Sequence, residues 1–252
     1  MTASLARIFR HPVKSIGFEE IRNASLSEGR VLPFDRIWAI STMEARFDSP
    51  LSDWAPKRDF VRGAAAPGLM AVAAHTHDDG SIEFTHPDLW HLRVDLDTPA
   101  DQAKLIAWLK PLWPENRPAP RAVEKPGLAL TDSREAFVSI LSLDSLDDLS
   151  ARSGKTLSPP RFRGNLWLRG MAPWAERDLV GQRLRIGTTA EIEIVEPITR
   201  CRATCASPET GTEDFNTLGA LKEITGDTTF GLFGLVRRAG EIARDDAVEV
   251  LP

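Results

Sequence analysis

Tyrosine is absent from the 252 residues, and cysteine occurs only at Cys201 and Cys205. The first absence removes a common phenolic general acid. The second excludes a disulfide framework and suits a reducing compartment, so a cytoplasmic location is expected. No apolar run approaches the roughly 18 residues that span a bilayer as a helix, and no membrane partner is expected. There is no phosphate loop, no dinucleotide-type glycine fingerprint and no nucleophile elbow. The net charge of -5, with both signs interspersed, gives no bulk attraction for nucleic acid or anionic lipid. Any phosphate must therefore be held locally, by a few placed Lys and Arg. The first 18 residues lack acids and carry Arg7, Arg10 and Lys14, a faint likeness to a transit peptide. Ala6-Arg7-Ile8-Phe9 running into His11-Pro12 reads instead as a strand and a turn.

What is present is an ordinary globular balance, 42% apolar and 27% charged, enough for one large domain or two small ones. Residues 3–97 read mainly as strands. Short apolar runs lie at 36–40 and 69–73, Ile82-Glu83-Phe84 follows the turn Asp78-Asp79-Gly80, and Leu92, Val94 and Leu96 alternate with polar residues. Such spacing, with Gly, Pro and Asp turns, predicts a barrel or sandwich. Thr98-Pro99 opens a helix with Leu105, Ile106, Leu109 and Leu112 on its apolar face, ended by Pro111 and Pro114. Four prolines and Gly127 within 114–127 mark the expected crossing between two halves. Beyond it the pattern predicts a strand over 137–141 and a helix over 143–153 closed by Gly154. Strands follow near 165–169, 183–187 and 190–196, then a short helix between Asn216 and Gly226, and strands near 230–237 and 246–251. Helices inserted singly among strands define a mostly β, α+β chain and argue against a doubly wound parallel sheet.

Cys201 stands between Arg200 and Arg202, where flanking cations favour the thiolate, the form that ligates metals or attacks electrophiles. On spacing alone, Cys201 and Cys205 are two packing residues, a redox pair, or half of a zinc site that would need four ligands. His75-Thr76-His77 borders a turn and reads as solvated. Basic residues recur beside turns: Lys14-Ser15 after Pro12, Lys57-Arg58, Arg161-Phe162-Arg163, and Arg200. Arg offers phosphate a planar fork and Lys a point charge, although each alone reads as surface charge. Asp147-Asp148 and Asp245-Asp246 read as exposed charge.

Taken in order, several segments resemble the MOSC family. They are His11-Pro12-Val13-Lys14-Ser15, Asp35-Arg36-Ile37-Trp38, and Ser142-Leu143-Asp144-Ser145-Leu146 with Arg161-Phe162-Arg163-Gly164-Asn165. Pro173-Trp174-Ala175-Glu176 and Thr199-Arg200-Cys201 with Ser207-Pro208-Glu209-Thr210-Gly211 follow, then Phe233-Gly234 and Asp246-Ala247-Val248. The likeness is to the longer members with an amino-terminal β-barrel domain, the group of the mitochondrial amidoxime-reducing component and its bacterial relatives. It implies a barrel-like MOSC N domain over 1–115 and a MOSC domain with a β-barrel and a few helices over 128–252. It implies a pyranopterin molybdenum cofactor (Mo-molybdopterin), with Cys201 as metal ligand and catalytic residue. Lys14, Ser15, Arg163, Asn165 and Arg200 would hold its phosphate and pterin, and Cys205, outside the motif, would pack. Thiolate is a soft ligand suited to such a metal.

The implied activity is an oxidoreductase that removes oxygen from an N-hydroxylated small-molecule substrate by two-electron reduction. A non-catalytic carrier of the cofactor or of sulfur, with Cys201 as a persulfide site, is the other implied reading. A thiol-redox protein using both cysteines ranks third. An iron–sulfur cluster takes four ligands, mostly Cys, and a nucleotide fingerprint is missing. Some relatives append a ferredoxin-like domain, whereas this chain ends at Pro252, so a separate electron-donor redox protein is the expected partner. Three positions depart from the family pattern: Ser207 stands where the family usually has Asp, Leu179 stands where it often has Trp, and in residues 62–67 its cofactor-binding arginine is either displaced to Arg62 or lost.

Overall fold

A computed structural model describes residues 3–252. Its strands are β1 (Ala3–Arg10), β2 (Glu19–Ile21), β3 (Asn23–Leu26), β4 (Ala39–Thr42), β5 (Ala73–Thr76), β6 (Ile82–His86), β7 (Leu89–Val94) and β8 (Pro120–Glu124). They continue as β9 (Val138–Ser142), β10 (Leu166–Arg169), β11 (Arg183–Ile186), β12 (Ala190–Thr199), β13 (Thr229–Arg238), β14 (Gly240–Ala243) and β15 (Ala247–Leu251). The helices are α1 (Pro99–Leu109), α2 (Leu143–Ser153) and α3 (Thr217–Thr225). Among the described residues no helix is long and apolar enough to cross a membrane. The chain is mostly β.

Seven strands close a barrel in the order β10-β9-β13-β12-β11-β15-β1, with β1 pairing back onto β10. Only the β9–β10 pair is parallel. Period-2 alternation fills the barrel: Val138 and Ile140, Ile192 and Ile194, and Leu232 and Val236 point inward and are buried, and a register slip in β1 between Leu5 and Arg7 adds Leu5 and Ile8 to the same face. The residues between them, Phe137, Ser139 and Phe233, therefore face outward from the β9–β13 wall. β1 lies in this ring rather than with the segments that follow it, and β3 pairs with β14. β1 and β3 are thus paired with strands of the carboxy-terminal half.

The unit expected to be barrel-like consists of the β4–β8 pair and the β5-β6-β7 meander under α1, around a second core of Ile16, Trp38, Ile40, Phe84, Leu105 and Trp108. Two expectations change here. The proline-rich stretch 114–127 contains β8. Pro120 takes the first position of that strand, where a missing N–H is tolerated. The apolar run 69–73 is mostly a 3-10 turn, Pro67–Ala71, with β5 starting only at Ala73. Burying an apolar run does not by itself choose strand over turn.

α2 and α3 follow their local signals. Ser142 accepts from the Ser145 N–H and Asn216 from the Gly219 N–H, while Gly154 and Gly226 close the helices at φ 70° and 85°. Leu146 and Leu149 of α2 and Leu221 of α3 pack with Phe162, Trp167 and Phe230 in a third core. Thr98 stands at the α1 N-cap position, but its hydroxyl donates to the Asp95 carbonyl.

Candidate functional site

A cavity of about 490 Å³ lies between the outer β9–β13 wall and the amino-terminal unit. It gathers Lys14, Ser15, Arg163, Asn165, Arg200 and Cys201, every residue that the resemblance marks, from segments up to 187 positions apart. Arg36, Lys57, Arg62 and Arg161 join them, giving seven cationic side chains against two carboxylates, Asp132 and Glu196. Three lining residues, Ser15, Arg36 and Arg163, hold positive φ angles of 64°, 54° and 48°. For residues with a Cβ, that conformation costs on the order of 1–3 kcal/mol and concentrates at functional sites. The two units meet beside the cavity at Gly211 (φ 71°), where a Cβ would lie 2.8 Å from the Gly68 Cα.

Arg163 ends the 3-10 turn Pro159–Phe162. Arg36 Nη2 donates to the Arg163 carbonyl at 2.9 Å and so fixes its left-handed backbone. Both terminal guanidinium nitrogens of Arg163 are buried without a hydrogen-bond partner among the described residues. Burial, and then the charge of Arg36, pushes its pKa down to about 9. A cationic fork left dry and unpaired is expensive, and an anion with two acceptor oxygens would satisfy it.

Lys14, buried at 3% exposure, donates from Nζ to the Leu130 carbonyl at 2.8 Å and to Asp132 Oδ1 at 2.5 Å. Burial lowers its pKa and Asp132 offsets part of the shift. Arg200 directs Nε to the Phe230 carbonyl at 2.7 Å and Nη1 to the Phe162 carbonyl at 2.8 Å. It therefore ties the Arg163 turn to β13 rather than extending a free fork.

Asn165 also acts within the wall. Its Oδ1 accepts from the Ser139 N–H and hydroxyl, and its Nδ2 donates to the Phe9 carbonyl, so it joins β9 to β1. Cys201 is exposed, and its carbonyl accepts from the Thr204 N–H at 3.1 Å and hydroxyl at 3.0 Å. Cys205 is buried, and both thiols are free. Among the described residues no group of three or more His, Cys, Asp or Glu is placed to hold a metal ion. That leaves the zinc alternative for the cysteines without a ligand set.

Arg36 and Arg161 are functional candidates that sequence reasoning left unassigned, although both stand in quoted motifs. Arg161, fully buried, forks onto Asp214 at 2.9 and 3.1 Å and donates to the Thr204 carbonyl, bracing the Cys201 turn. Of the departures, Arg62 lines the cavity. Ser207 Oγ accepts from the Glu209 and Thr210 N–H groups, the turn bonds that an Asp would make. Leu179 packs in the barrel core.

Behind Arg36, the Asp35 carboxylate accepts from the His11 N–H at 2.8 Å and lies 3.2 Å from His11 Nδ1. Burial opposes the charge of Asp35, but Arg36 and the His11 bonds outweigh it and hold its carboxyl well below the usual range. Burial, then Arg163 and Arg36, pushes the His11 imidazole down from 6.5 to about 3. The unfolded imidazole titrates near 6.5, so below that pH the unfolded chain takes up a proton that the folded chain refuses. Stability present above pH 6.5 should fall as the pH drops toward 3, by on the order of 2 kcal/mol at pH 4.5. Urea midpoints measured from pH 7.5 to 4.5 check this. His11→Gln should flatten the slope, and an unchanged slope would refute the assignment.

The site is thus a cationic cavity between two β units with an exposed cysteine in its lining. Residues 127–249 match the model of the MOSC domain. Among solved structures, the chain is similar to the YuaD protein from Bacillus subtilis, with 13% identity and TM-score 0.48, over 99% of this chain and 96% of that one. It is also similar to YiiM from Geobacillus stearothermophilus, with 16% identity and TM-score 0.34, over 46% of this chain and 54% of that one. YiiM from Escherichia coli is similar with 18% identity and TM-score 0.34, over the same shares. No curated protein matches the chain.

Proposed function

We propose that the cavity holds a pyranopterin molybdenum cofactor with Cys201 as the protein ligand to the metal, and that the chain is an oxidoreductase acting on N-hydroxylated small molecules. The observation that carries this reading is the pair of buried, unpartnered Arg163 nitrogens in a cavity that also presents an exposed cysteine. The donor set fits the group: a cationic fork for a phosphate and a soft thiolate for the metal. Arg163, Lys14, Ser15 and Arg62 would hold the anionic end. Arg36 keeps Arg163 in place through its carbonyl, while Arg200 and Asn165 hold the wall behind it. When bound, the cofactor supplies two-electron redox chemistry. The protein contributes orientation, dryness and charge.

Electrons would come from a redox centre outside these 252 residues, which carry two cysteines and no nucleotide fingerprint. The test is elemental analysis of protein from a host that makes the cofactor, followed by turnover of an amidoxime with a chemical reductant. Near-stoichiometric molybdenum and turnover are expected. A protein free of molybdenum would sink the reading. With NADH alone the protein should be inactive. A suitable reductase and small carrier should restore turnover in a salt-sensitive way, as for transient, charge-steered encounters. Robust NADH-driven reduction by this chain alone would overturn the external donor.

A further inference from the structure

One carboxylate of the cavity is held by its lysines as a small anion would be. Asp132 Oδ1 accepts from Lys14 Nζ at 2.5 Å, and Oδ2 stands 3.7 Å from Lys57 Nζ. The carboxylate thus bridges two cations from separate segments, both in the cavity lining.

The members of the Lys14–Asp132 pair differ in what they lose on parting. The Lys14 side chain is 4% exposed, and its second bond, to the Leu130 carbonyl, holds it in the wall. The Asp132 side chain is 56% exposed. A carboxylate so exposed can turn into water at little desolvation cost, whereas a buried ammonium left without an anion is expensive. The backbone beside it has no need to move. The Leu130 N–H donates to the Arg36 carbonyl at 2.8 Å, the Leu130 side chain is buried, and the Trp54 indole N–H donates to the Thr131 carbonyl at 3.2 Å. The part left to move is the Asp132 side chain. The unpartnered Arg163 fork lines the same cavity and feels the charge of Asp132. A phosphate that spans Arg163 and Lys14 must therefore take Lys14 from a group of its own sign, and two anions sharing one cation at contact repel.

We infer that Asp132 is a built-in competitor for the phosphate site: its carboxylate holds Lys14 and Lys57 until a phosphate displaces it. The exchange keeps the buried ammonium paired before and after loading, and it sets the affinity of the site below what its cations alone would give. That the phosphate belongs to a pterin cofactor rests on the function proposed above, while exchange with free phosphate does not.

Inorganic phosphate is the probe, titrated by calorimetry into the full chain purified from a host unable to make the cofactor. Asp132→Asn should bind phosphate at least tenfold more tightly than wild type. It should also melt roughly 2–4 °C lower, because Lys14 loses its carboxylate. Asp147→Asn makes the same change of net charge on the exposed surface of α2 and should leave phosphate affinity within twofold of wild type. A carboxylate that merely positioned Lys14 would give the opposite sign, weaker binding together with the lower melting temperature. In crystals of wild type grown with phosphate, the Lys14–Asp132 contact should be broken. Affinity in Asp132→Asn equal to or below wild type, phosphate bound by neither protein, or phosphate seated on Arg163 with that contact intact, each overturns the inference. If protein from a cofactor-making host holds no molybdenum but Asp132→Asn tightens phosphate binding, the competitor stands and the proposed redox function falls. Full molybdenum occupancy with no such tightening leaves that function in place and removes the competitor.

Discussion

Cys201→Ser is expected to abolish the molybdenum-centred activity, while Cys205→Ser stays near wild type. Serine keeps the volume and the backbone bonds of the Cys201 turn, in which the carbonyl is pinned by Thr204, so the fold should be retained. What changes is the donor atom. A hard, weakly acidic hydroxyl replaces a soft thiol. Cys205 is buried one turn on and lies outside the cavity lining. Its replacement puts a hydroxyl in a packed site, at about 1–3 kcal/mol of stability. Molybdenum content and turnover of both variants, purified in parallel with circular dichroism as a folding control, decide the matter. Loss of metal-centred activity in Cys205→Ser with retention in Cys201→Ser would invert the assignment.

Arg163→Ala is expected to weaken cofactor retention roughly ten- to a hundredfold, since a charge-assisted contact to phosphate contributes on the order of 1.5–3 kcal/mol. The same substitution should leave the cofactor-free protein as stable as wild type or more so, because it deletes a buried cation whose terminal nitrogens have no partner. That opposition separates a binding residue from a structural one. Lys14→Ala should also lower retention. It should destabilise the empty protein as well, because the Leu130 carbonyl and Asp132 lose their donor. Occupancy unchanged in both variants would remove these cations from the site. A large loss of stability in cofactor-free Arg163→Ala would show that its fork has a partner in the folded chain.

Local chemistry was the legible part of this fold. The ends of α2 and α3 follow from Ser142, Gly154, Asn216 and Gly226, because a cap and a left-handed residue act within one turn. The cations that gather at the cavity were visible singly, as basic residues beside turns. Their convergence was not, since nothing in the neighbourhood of Lys14 states that Arg163 lies beside it. Positive φ at Arg36 and Arg163 was equally hidden, because tertiary bonds impose it on residues with no preference for it. Arg200 and Asn165 look in the sequence like ligands. The carbonyls and hydroxyl that occupy their donors and acceptors come from segments far along the chain. The apolar run at 69–73 misled because hydrophobicity records burial, not the shape of the backbone that is buried.

The barrel is closed by its first strand: Ala3 pairs with Val248, and Ile8 with Leu166. At ribosomal speeds of about 5–20 residues per second, β1 emerges some ten seconds or more before its last partner exists. Until then, a strand whose Leu5 and Ile8 belong in a core must wait unpaired in the cell. The 127–249 segment made by itself would have the opposite problem, a ring missing one stave, with the flanks of β10 and β15 both open to other chains. The segment that matches the MOSC-domain model therefore lacks one strand of the closed barrel.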